Sequence, residues 1–192
     1  MKTTRLEAFS DGVLAIIITI MVLELKIPHG TDWETISPLL PVLLSYILSF
    51  VYIGIYWGNH HHLLHTVHHV DSKIMWANLH LLFWLSLIPF ATAWMGENSF
   101  ENITVAAYTI VLIFCAVSYT ILQNSIRKQY KGTTPLILAL NKQAKKGYLS
   151  LVLYAAAIPL AFLHSGLSAA LIIIVAIIWL IPDKNIEKAM KD

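Results

Sequence analysis

Between Asp11 and Glu24 the chain runs through twelve uncharged residues, Gly12 to Leu23, nearly all of them apolar. As a helix rising about 1.5 Å per residue, that run covers roughly 18 Å, well short of a bilayer core of about 30 Å. A helix crossing a membrane here must carry Asp11, Glu24 or both at membrane depth. Charges at that depth are costly and face protein or a water-filled path. The segment from Arg5 to Glu24 is therefore a poor lipid-facing anchor and a good candidate for a functional core.

The rest of the chain sets the class. Of 192 residues, 57% are hydrophobic and 12% charged, about half the charged fraction of a soluble domain. Six apolar segments can be drawn, at 9–27, 38–58, 74–96, 103–124, 147–164 and 167–182. The expected fold is an all-α, polytopic membrane protein with six transmembrane helices, one domain over 1–192. Lys2 and Arg5 before an apolar stretch imitate a signal peptide, but Glu7 and Asp11 interrupt it. Leu25-Lys26-Ile27-Pro28 offers no small-residue cleavage site, so the helix reads as retained. Pro89 and Pro159 fall inside segments three and five and predict kinks. Pro28, Pro38, Pro41 and Pro182 mark segment ends, and Gly132-Thr133-Thr134-Pro135 reads as a loop turn. Segments five and six are short and separated by His164-Ser165-Gly166.

Basic residues give an orientation. With the N-terminus in the cytoplasm, the inner set is Lys2, Arg5, Lys73, Arg127, Lys128, Lys131, Lys142, Lys145, Lys146, Lys184, Lys188 and Lys191, and the outer set is Lys26 alone. That asymmetry obeys the positive-inside rule. It places both termini in the cytoplasm and calls for an even number of spans.

Other classes are disfavoured. A net charge of +2 without a basic, aromatic-interleaved face gives no reason to expect nucleic acid. Cys115 stands alone, so no intrachain disulfide forms. No nucleophile–base set, Gly-rich phosphate loop or paired catalytic carboxylates occurs, so an enzyme is not expected and no cofactor is implied.

At 100° per residue, Ile16, Ile20 and Leu23 fall in one stripe, with Thr19 and Gly12 beside it. Asp11 projects nearly opposite, and Ser10 well off the stripe. Such a stripe can face a pore, with Ser10 and Asp11 bonded to neighbouring helices, but any helix this apolar shows one. Six of nine histidines lie in His60-His61-His62-Leu63-Leu64-His65-Thr66-Val67-His68-His69. His61, His65 and His68 follow i, i+4, i+7 spacing and would share a helical face as metal-ligand candidates. The nearest carboxylate in sequence is Asp71. Gly54-Ile55-Tyr56-Trp57-Gly58 fits the small-xxx-small pattern of close helix approach.

Arg5-xxx-Phe9-Ser10-Asp11, continuing into Ala15-Ile16, Thr19 and Leu23-Glu24, resembles the Arg-x-x-x-Phe-Ser-Asp signature and first helix of the transmembrane protein 175 family of potassium channels. Tyr56-Trp57-Gly58-Asn59-His60-His61 and Leu85-Ser86-Leu87-Ile88-Pro89-Phe90 are similar too. The resemblance covers most of segments one to three. It implies a six-span subunit of a homotetramer in a prokaryotic plasma membrane, with helix one lining a central pore. Potassium and other monovalent cations would pass an apolar constriction mapped onto Ile16, Ile20 and Leu23, with Thr19 adjacent. Arg5, Phe9, Ser10 and Asp11 would hold the pore helix against segments two and three, with Trp57, His60, Trp76 and Asn78 as candidate partners. Three other readings stay open: a divalent-metal transporter using the histidine run, which needs intramembrane ligands such as His80, a proton-conducting leak channel, and a structural membrane protein with no permeant, in which replacing Ile16 or Leu23 would change stability but no flux.

Overall fold

Helix α1, Thr3–Leu23, takes in the whole uncharged run and about two and a half turns before it. At 21 residues it is about 31 Å long, enough to cross a bilayer with Glu7 and Asp11 inside the helix. The structure, a computed structural model, describes residues 1–130, 132 and 134–180. Pro182, Lys131, Lys184, Lys188 and Lys191, used above for segment ends and orientation, lie outside the described residues.

After α1 come a short helix α2 (Trp33–Ile36), a 3-10 turn (Ser37–Leu39) and α3 (Leu40–His65). Asp32 caps α2 by accepting from the Thr35 N–H, and those bonds hold its carboxyl below the usual carboxylate range. Then follow α4 (Ser72–Leu85), α5 (Ile88–Glu97), α6 (Asn102–Arg127), α7 (Pro135–Leu163) and α8 (Ser165–Leu180). No strand occurs among the described residues. Five spans are long and apolar enough to cross a membrane: α1, Trp33–His65, Ser72–Glu97, α6 and α7. Helix α8 is apolar but shorter, at 16 residues.

The third segment is broken rather than bent. The α4 ladder ends at Ser86, and α5 restarts at Ile88 with Pro89 in its first turn. Pro89 has no N–H to give a continuing helix, so the chain restarts there. Segment five is longer than its apolar stretch. Helix α7 starts at Pro135, twelve residues before 147, capped by the Thr134 hydroxyl accepting from the Ile137 N–H. Its first turns bury Ile137, Leu140 and Gln143 while Lys145 points out, a mixture that average hydropathy hides. Pro159 lies within this continuous helix.

Helix α6 is the hub, packing on α4, α5, α7 and α8. Helix α1 sits at the edge, packing chiefly against α3, α4 and α5. Gly96 sets the α3–α5 distance: a Cβ there would come within 2.8 Å of the Val42 backbone and 2.4 Å of Ser45 Oγ. By contrast, Gly54 and Gly58 have nothing within 4 Å of such a Cβ, so the small-xxx-small pattern serves no close approach among the described residues. Polar groups bind the interior. Ser49 Oγ pairs with Thr92 Oγ1 (2.7 Å) and Tyr108 OH (2.9 Å). Tyr52 OH donates to the Ile172 carbonyl at 2.6 Å and accepts from Tyr154 OH at 3.1 Å. These bonds join α3 to α5, α6, α7 and α8 where lipid offers polar groups no partner.

Candidate functional site

Helix α1 has two unlike sides. Leu6, Ser10, Leu14, Ile17 and Met21 are buried against the subunit. Gly12, Ala15, Ile16, Thr19, Ile20 and Leu23 are exposed, Leu23 at 79%. The stripe expected from periodicity is thus the side that the described residues leave uncovered. Thr19 Oγ1 donates to the Ile16 carbonyl of its own helix at 2.8 Å, which leaves the oxygen's capacity to accept unused by that bond.

The buried side is anchored by a polar chain. Asn78 Nδ2 of α4 donates to Ser10 Oγ at 2.9 Å, and Ser10 Oγ donates to the Leu6 carbonyl at 2.8 Å. Asn78 Oδ1 meets His60 Nε2 of α3 at 2.6 Å. A carbonyl oxygen only accepts, so His60 Nε2 carries the proton; its Nδ1 is buried without a partner among the described residues. Ser10, His60 and Asn78 are each at most 1% exposed. One turn further, Trp57 Nε1 donates to Asp11 Oδ1 at 3.1 Å. Helix one is therefore tied to α3 and α4 by hydrogen bonds from two consecutive residues of the motif.

The other motif residues stand apart. Arg5 is exposed, and its guanidinium makes no hydrogen bond or ion pair with the described residues. Phe9 is 52% exposed and Trp76 66%, so neither packs into the subunit core. Trp76 does not join the Ser10–Asn78–His60 chain.

The histidine run divides. Helix α3 ends at His65, with Thr66 as its C-cap. His68 lies beyond it, its ring 4.6 Å from that of Tyr130 and its N–H donating to Gln129. The expected shared face of His61, His65 and His68 therefore fails: helical spacing does not extend past a helix end. His61 and His65 instead meet Glu7 of α1, a carboxylate that reading along the sequence missed because it lies 54 residues before His61. His80 accepts from Trp84 Nε1 at 3.1 Å on the exposed side of α4 and is not part of the Glu7–His61–His65 group. No intramembrane ligand set forms around it among the described residues, which removes the support the divalent-metal transporter reading required.

At the opposite end, Lys26 after α1 pairs with Glu97 at the end of α5, and the carboxylate raises the lysine's pKa. These features define a helical, multi-pass membrane protein whose first helix is held from behind and left apolar in front. The chain belongs to the TMEM175 family. Residues 5–89 match the family model described as endosomal/lysosomal potassium channel TMEM175. A protein of Chryseobacterium sp. (strain P1-3) named as a potassium channel is 52% identical over 192 residues, all of both chains. A crystal structure of a lysosomal potassium-selective channel TMEM175 homolog from Chamaesiphon minutus superposes with a TM-score of 0.82 at 28% identity, covering 93% of this chain and 96% of that one. The Gallus gallus endosomal/lysosomal proton channel TMEM175 is 32% identical over 127 residues, 58% of this chain and 25% of that protein.

Proposed function

We propose that this chain is the subunit of a potassium-permeable cation channel. The observation that carries the reading is the division of α1: an uncovered apolar stripe of Ile16, Ile20 and Leu23, with Ser10 and Asp11 bonded behind it. Four copies around an axis would bring four stripes together as a hydrophobic constriction. A narrow apolar ring excludes water until it widens, and so gates by dewetting. Thr19 supplies hydroxyl oxygens beside that ring. Potassium and other monovalent cations would move passively, without an enzymatic step. The whole chain, 1–192, acts as one channel domain in the plasma membrane of a prokaryote, with both termini cytoplasmic. Relatives named as potassium channels and the fold match support this reading.

The test is flux in proteoliposomes under matched potassium and sodium gradients, wild type beside Ile16→Asn. The expected result is potassium flux exceeding sodium flux in wild type, and a conductance or selectivity changed by at least severalfold in the variant. Absence of monovalent flux in both, from protein that is folded and oligomeric, would overturn the proposal.

A further inference from the structure

On α1, Glu7 precedes Asp11 by four residues and shares its face; on α3, Trp57, His61 and His65 follow one another at the same spacing. The two rows meet. Asp11 is taken by Trp57, and Glu7 is left to two imidazoles. Glu7 Oε1 lies 2.7 Å from His61 Nδ1 and 3.5 Å from His65 Nε2. The His61 and His65 rings are 4.4 Å apart, and one ligand atom from each of the three residues lies within 4.8 Å of the others. Trp57 stacks beside His61 with 6.4 Å between ring centres.

A dication bound about 2.0–2.2 Å from each of three tetrahedrally placed ligands needs those ligands roughly 3.3 Å apart. The Glu7–His65 distance is close to this, the Glu7–His61 hydrogen bond would open by about 0.6 Å, and the two imidazoles, whose ligand atoms lie within 4.8 Å of each other, would turn to complete the triangle. Two imidazoles and one carboxylate suit zinc and its transition-metal neighbours; magnesium and calcium prefer oxygen alone. Glu7 is mostly shielded, with its side chain 17% exposed, while His61 and His65 are 43% and 50% exposed. That leaves a path for a hydrated ion and a fourth position for water.

We propose that Glu7, His61 and His65 form a binding site for one zinc-class dication per subunit, clasping α1 to α3. The site does not depend on what the protein conducts, and its test needs no flux. Protein purified with a non-histidine tag is titrated with zinc chloride by calorimetry, with magnesium chloride as the control ion. Wild type should bind one zinc per subunit and no magnesium. Glu7→Gln and His65→Gln, each checked for a wild-type elution profile, should weaken zinc binding at least tenfold. His69→Gln, outside the cluster, should leave it unchanged. Absence of stoichiometric zinc binding in wild type overturns the site, as does binding that survives His65→Gln or is lost with His69→Gln.

Discussion

The polar residues of α1 act through single bonds whose loss is measurable. Asn78 is the centre of the buried chain, serving Ser10 on one side and His60 on the other. Asn78→Ala strands both and should cost about 1–3 kcal/mol, read as a lower thermal unfolding midpoint in detergent. An unchanged midpoint would show that the chain contributes nothing to stability. Asp11→Ala removes the acceptor of Trp57 Nε1, loosening α1 from α3. The assembled fraction in size-exclusion chromatography with light scattering should fall, and a fully assembled, fully active variant would contradict the anchoring role. At this scale the sequence was partly legible. Ser10, Asp11, Trp57, His60 and Asn78 could be named because polar groups inside apolar helices need partners. The same reasoning had no means of excluding Arg5 and Trp76, which reach none of them, or of including Glu7, whose partners are distant in sequence.

Helices are legible where composition is uniform and obscure where it changes along their length. The spans showed in hydropathy because each buries or presents apolar side chains over about 20 residues. The start of α7 did not, because its polar first turns average out the buried Ile137 and Leu140. Pro89 announced a disturbance but not that α4 and α5 would separate. The end of α3 after His65 carries no glycine or proline, so the periodicity of the histidines overran it. Contact between helices was the least legible feature. Gly54 and Gly58 look like a packing motif and face open space, whereas Gly96 stands alone in sequence and sits against the Val42 backbone. Gly96→Val should separate α3 from α5 at a cost of about 1–3 kcal/mol, as overpacking does, visible as lost thermal stability. Gly54→Ala in the same assay should leave the isolated subunit's packing intact.

The whole molecule has a hub, α6, and an edge helix, α1, whose outer stripe finds no cover among the described residues. A bilayer could cover that stripe, or four copies could turn it toward a shared axis. Only the second makes Ile16 and Leu23 accessible to water-borne cations. The native cysteine, Cys115, is fully buried and gives little background reactivity. The most direct measurement is therefore potassium flux through Ile16→Cys, Leu23→Cys and Val152→Cys channels before and after a membrane-impermeant cationic thiol reagent. Val152 is 65% exposed on α7, which does not touch α1 appreciably. The account predicts flux blocked at positions 16 and 23 and unchanged at 152. Flux unaffected at positions 16 and 23, in channels where the reagent blocks 152, would contradict a pore lined by the first helix.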